Sequence, residues 1–121
     1  MKLDSNITID IVEKQIAALK RLLYYYEFKE RSLSRCPLCK VASEVSLENG
    51  DILEEYPLKE IRCRYCPWVW VTGTTCIKWC TKRGYLVSAG TKRMNDYQRK
   101  IRIKQIKRWI KTLEKFIEGI E

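Results

Sequence analysis

Between Ile9 and Arg31 the chain reads IDIVEKQIAALKRLLYYYEFKER, with apolar side chains at Ile9, Val12, Ile16, Leu19, Leu23 and Tyr26. Gaps alternating between three and four residues mark one face of an α-helix. Ile11, Ala18, Leu22 and Tyr25 widen the stripe beyond a narrow two-stranded seam, which favours packing in a bundle. Thr8 or Asp10 is placed to cap its start, the latter with Glu13 three residues on. The far end of the chain repeats the pattern. From Asp96 onward, DYQRKIRIKQIKRWIKTLEKFIEGI spaces Ile103, Ile106, Ile110, Leu113, Ile117 and Ile120 in the same way, with Asn95 and Gln98 as a capping pair. Helices of about 23 residues are roughly 35 Å long. Two helices of matched length most simply pack against each other in a monomer; a homodimer through the same faces is the rival.

The stretch between them lacks that periodicity. CPLCKVASEVSLENGDILEEYPLKEIRCRYCPWVWVTG is rich in β-branched and aromatic residues and is punctuated by Asn49-Gly50, Pro57 and Gly73. Short strands and turns are the expectation. The predicted fold is therefore α+β: a single domain with an N-terminal helix in residues 1–35, a small β-rich module in 36–80, a basic connector in 81–94 and a C-terminal helix in 95–121. The connector repeats Thr-Lys-Arg at 81–83 and 91–93.

All six cysteines lie in or beside that module, and the chain has no histidine. Asp4, Asp10 and Glu13 interrupt the apolar run that a secretory leader needs, and no stretch is apolar enough for a membrane span. The expected compartment is the cytoplasm, where thiols stay reduced, so metal ligation explains paired cysteines better than disulfides do. Cys36-Pro-Leu-Cys39 and Cys63-Arg-Tyr-Cys66 are two CxxC pairs separated by 23 residues. Each CxxC turn can direct two sulfurs at one point, and two such turns complete the tetrahedral shell of one structural Zn²⁺. The predicted ligands are Cys36, Cys39, Cys63 and Cys66. Cys76 and Cys80 remain as substitute ligands or buried thiols, and an iron–sulfur cluster would use the same kind of donor set. A zinc hook formed between two chains is unnecessary when the second CxxC lies in the same chain.

The run CRYCPWVWVTGTTC, with its upstream CPLC pair, resembles a C-x2-C-P-x5-T-G-x2-3-C pattern in small phage and prophage proteins, with four residues between Pro67 and Thr72 where the pattern has five. The resemblance spans Cys36 to Cys76, and the chain departs from it after Cys76, where Ile77-Lys78-Trp79-Cys80 follows. It implies a phage-type accessory protein with a zinc-ribbon-like module, and makes Cys76 an alternative ligand. It names no activity.

Charge adds a second candidate. The net charge of +9 divides into +2 for residues 1–35, −1 for 36–80 and +8 for 81–121. Arg99, Lys100, Arg102, Lys104, Lys107, Arg108, Lys111 and Lys115 fall outside the apolar stripe of the last helix, and no acidic residue lies between Tyr97 and Leu113. Such a helix can follow a phosphate backbone. Lys82, Arg83, Lys92 and Arg93 extend the patch in sequence, and Trp109 or Tyr97 is placed to lie beside it. Without histidine the usual zinc-water catalysts and Ser-His or Cys-His nucleophile pairs are excluded. The carboxylates Glu44, Glu48, Asp51, Glu54, Glu55 and Glu60 read as a solvated face. A non-catalytic, zinc-stabilised protein that binds DNA or RNA through its last helix is the expectation, with a host protein as the alternative partner.

Overall fold

The computed structural model of the chain describes residues 3, 6–28, 36–48, 63–83 and 96–120. Five helices account for nearly all of them: α1 (Ile9–Phe28), α2 (Pro37–Glu48), α3 (Pro67–Thr72), α4 (Cys76–Arg83) and α5 (Asp96–Ile120). Among the described residues there is no strand, so the fold is all-α and the expected α+β architecture is overturned. The β-rich zinc ribbon goes with it, because the CPLC stretch and the CPWVWVT stretch are both helical. The Asn49-Gly50 turn, Pro57, the connector beyond Arg83 and Asn95 lie outside the described residues.

The two long helices form as their periodicity predicts. Thr8 caps α1: its hydroxyl accepts the Ile11 N–H at 3.3 Å and its carbonyl accepts the Val12 N–H at 3.1 Å. The helix is described to Phe28, and the expected extension to Arg31 lies beyond. α1 packs on α5 and on α2. Arg99 near the start of α5 reaches the Tyr26 carbonyl near the end of α1, whereas Glu114 further along α5 pairs with Lys20, earlier in α1. The two helices are therefore antiparallel.

The core lies along this pair. Val12, Ile16, Leu19, Leu22 and Tyr26 of α1 meet Ile106, Trp109, Ile110 and Leu113 of α5, and Leu38, Trp68 and Cys80 close the end. Burying one such aliphatic or aromatic side chain contributes about 1.5–3 kcal/mol, so this cluster outweighs the exposed ion pairs around it. A smaller cluster of Ile11, Ala42, Val45 and Tyr65 joins α1 to α2 and the second CxxC turn.

The short helices owe their form to end residues that outweigh the strand propensity of Val69, Trp70 and Val71. Cys66 is extended (φ −103°, ψ 130°), Pro67 supplies the preset φ of a first helical residue, and Gly73 stops α3 in the left-handed region (φ 77°), donating its N–H to the Val69 carbonyl at 2.8 Å. Thr75 starts α4, its hydroxyl accepting the Lys78 N–H at 3.3 Å and its carbonyl the Trp79 N–H at 3.0 Å. Trp68 of α3 then inserts edge-on between Trp79 of α4 (5.6 Å between ring centroids) and Trp109 of α5 (5.1 Å). Each aromatic pair adds about 0.5–1.5 kcal/mol beyond its burial. No described helix is long and apolar enough to cross a membrane.

Candidate functional site

α5 sorts its cations into two groups. At roughly 100° per residue, Lys100, Lys104, Lys107, Arg108, Lys111 and Lys115 share an arc about 100° wide and extend about 22 Å along the axis. All six are exposed. Tyr97, 69% exposed, falls within the same arc and heads it. Tyr24 and Phe28, an exposed pair with ring centroids 4.6 Å apart, stand at the same end of the antiparallel helix pair. Glu114 lies at the edge of the cationic arc, 3.9 Å from Lys20 of α1.

Arg102 and Arg99 belong to the other group. Arg102 is 1% exposed and points into the core. Its Nη1 donates to the Tyr26 hydroxyl at 3.2 Å, its Nη2 to the Cys80 sulfur at 3.2 Å, and its guanidinium lies 5.4 Å from the centre of the Trp68 ring. Arg99 is half-buried, donating to the Tyr26 carbonyl at 2.8 Å and lying 3.7 Å from Asp96. Both guanidinium groups thus sit away from the exposed arc, Arg99 on the end of α1 and Arg102 between Tyr26 of α1 and Cys80 of α4. Trp109 is likewise buried, so it does not flank the cationic face. The buried positions Gln98, Arg102, Ile106, Trp109 and Leu113 run at gaps of four, four, three and four, a stripe that the sequence reading missed because two of its members are polar. Burial also pushes the Tyr26 hydroxyl up to about 12, against the partial pull of the nearby Arg102 charge.

Three of the six cysteines stand at helix starts. Cys36 precedes Pro37 at the head of α2, where its carbonyl accepts the Lys40 N–H at 3.0 Å, and Cys66 precedes Pro67 at the head of α3. Cys76 is the first residue of α4. The Cys36 thiol is pushed up by its hydrogen bond with Cys39 and by burial, while the N–H groups of Leu38 and Cys39 pull the other way. Cys66 is pushed up first by burial and then by the like charges of Cys39, Cys76 and Cys63. Five of the six sulfurs are thus electrostatic neighbours. Cys80 is fully buried and faces Arg102 instead.

One side chain links the two CxxC turns. Gln15 of α1, fully buried, donates its Nε2 hydrogens to the Leu38 carbonyl at 3.1 Å and to the Tyr65 carbonyl at 2.7 Å. Leu38 and Tyr65 occupy the same place in their turns, immediately before the second cysteine. Two carbonyl oxygens held by one nitrogen can be no further apart than the sum of those lengths, so the predicted ligand pairs are brought side by side. Among the described residues, however, no three Cys, Asp or Glu side chains converge closely enough to hold a metal ion. Closing a four-thiolate shell requires the pairs to draw together further.

Known proteins supply no precedent: no family model, curated protein or solved structure matches the chain.

Proposed function

We propose that this protein binds nucleic acid without catalysis along the exposed face of α5, while a thiolate-bound zinc ion stabilises the cysteine-bearing helices. The observation that carries the reading is the grouping of six cations on one helix face, opposite the buried stripe. A straight row of positive charge about 22 Å long matches a polyanion better than a small ligand. Exposed Tyr97 at its head offers a ring on which a base can stack. A reducing cytoplasm keeps the thiols available for metal, and the resemblance of the Cys36–Cys76 stretch to small phage proteins favours an accessory role inside a host cell.

For zinc, the support is the supply of soft donors in two CxxC turns and the bridge that Gln15 makes between the two turns. Cys36, Cys39, Cys63 and Cys66 would hold the ion, with Cys76 as the neighbouring alternative. A shell closed by four thiolates keeps no open position, so such an ion would contribute stability and no water activation.

Binding to DNA or RNA should weaken steeply with salt. Six neutralised duplex phosphates give a slope of up to about −5 in log K against log salt, or roughly a thousandfold loss between 50 and 200 mM. Reversing Lys104, Lys107, Arg108 and Lys111 to glutamate should abolish binding while leaving helical ellipticity and zinc content unchanged. Unaltered affinity in that variant refutes the reading. Absence of any nucleic-acid binding by the zinc-loaded protein would leave the face to an acidic protein surface.

A further inference from the structure

A buried amide among aliphatic neighbours is costly unless its hydrogen-bonding groups are used, and a glutamine has two donors to offer. Gln15 stands on the apolar face of α1, yet its amide N–H groups are spent on two backbone carbonyls outside that helix. Those carbonyls belong to Leu38 and Tyr65, separated by 23 and 50 residues from Gln15 and by 27 from each other. The Leu38 carbonyl lies inside the first CxxC turn and the Tyr65 carbonyl inside the second. Each turn is followed or entered by a helix whose start its cysteine sets.

Resting on the zinc reading above, we infer that Gln15 is the positioning residue of the thiol site, gathering both CxxC turns on α1 so that a soft divalent ion meets two adjacent pairs. Three features support this role. The bridge uses one nitrogen for two acceptors, so it fixes the turns relative to each other as well as to α1. Its bonds end on main-chain atoms of the turns, so it orients the backbone from which the sulfurs project without competing for the sulfurs themselves. Tyr65, 1% exposed, is packed in the cluster with Ile11, Ala42 and Val45, so side-chain packing on α1 and α2 also holds the second turn. Neither a tetrahedral shell nor any thiol needs to be preformed: the amide holds the pairs near one another, and the ion would complete the approach.

The test is titration of the reduced full-length protein with Co²⁺, followed by thiolate-to-cobalt charge-transfer absorption, and displacement of Co²⁺ by Zn²⁺. Wild type, Gln15→Met and Val12→Ala are compared at equal folded fraction, set by far-ultraviolet ellipticity. Methionine keeps the length of the side chain and removes both donors. Val12 is fully buried on the same helix and touches neither bridge bond, so its truncation supplies a matched loss of stability. Loss of an outer-shell orienting group should weaken Gln15→Met about 10- to 100-fold, with Val12→Ala within about threefold of wild type. Equal cobalt affinity in wild type and Gln15→Met, or an equal loss in the two variants, overturns the inference and leaves the zinc reading standing. Wild type without thiolate–cobalt absorption overturns both.

Discussion

Replacing Arg102 with alanine should destabilise the fold without altering the salt dependence of the proposed nucleic-acid binding. The side chain is 1% exposed, makes two charge-assisted contacts of 3.2 Å and lies 5.4 Å from the Trp68 ring centre. Hydrogen bonds to a charged group contribute about 1.5–3 kcal/mol each, and a desolvated cation–π contact about 1–2. Against this stands the hydration that the guanidinium lost on burial, worth several kcal/mol. The net expected loss is about 2–4 kcal/mol, a large share of the roughly 5–15 kcal/mol that holds a domain together. With a urea slope of about 1–1.5 kcal/mol per molar, the unfolding midpoint should fall by about 2–3 M, read by emission from the Trp68, Trp79 and Trp109 cluster. Arg102→Met, which fills most of the volume and carries no charge, should lose less than the alanine variant. Both folded variants should keep the wild-type salt slope. An alanine variant within about 0.5 kcal/mol of wild type whose salt slope falls by about one unit would refute the reasoning, because the guanidinium would then be on phosphate.

Two further substitutions probe the same framework. The Tyr26 hydroxyl is pushed up from its ordinary 10 to about 12, so the folded state favours the neutral phenol; its contribution is intact below about pH 10 and is lost as pH rises toward 12. Tyr26→Phe should cost about 1–2 kcal/mol at neutral pH by removing an acceptor from Arg102. In that alkaline window its stability should fall less steeply than wild type, by about 1.4 kcal/mol per pH unit, and parallel urea–pH curves would count against the assignment. Gly73→Ala meets no atom within 4 Å of the added carbon, so only the left-handed backbone (φ 77°) opposes it. The expected loss is about 1 kcal/mol, and an unchanged or raised unfolding midpoint contradicts the positive φ.

The long helices were legible because an alternating gap of three and four residues is a geometric statement, and α1 and α5 obey it. The short ones were not. In α3, Trp68, Val69, Trp70 and Val71 carry strand propensity, while the helix follows from Pro67 at its first residue and Gly73 just past its end. That Pro-to-Gly spacing was present in the sequence and is the signal that outranks propensity here. Arg102 and Gln15 were missed for a different reason. Each occupies a helical position whose neighbours one turn away are buried: Ile106 for Arg102, and Ile11, Val12, Ala18 and Leu19 for Gln15. Counting charge assigned the first to the surface, and counting apolar residues left the second unremarked. A polar side chain in register with an apolar stripe signals a buried contact, but its partners come from segments 22 to 76 residues away and cannot be read from spacing. The cysteine pairs were visible as pairs, and the bridge that sets one beside the other was not.

The pairing of α1 with α5 also sets the order in which the molecule can be made. Contacts such as Arg99 to Tyr26 and Arg102 to Tyr26 close loops of 73 and 76 residues. Closing such a loop costs roughly 2 kcal/mol more chain entropy than closing one of ten residues. During synthesis α1 leaves the ribosome before α5, and of its two described helix partners α2 is the one available until α5 emerges. Until then α1 lacks the partner that covers its stripe in the fold, so α5 is both the helix that carries the exposed cations and the lid that completes the core.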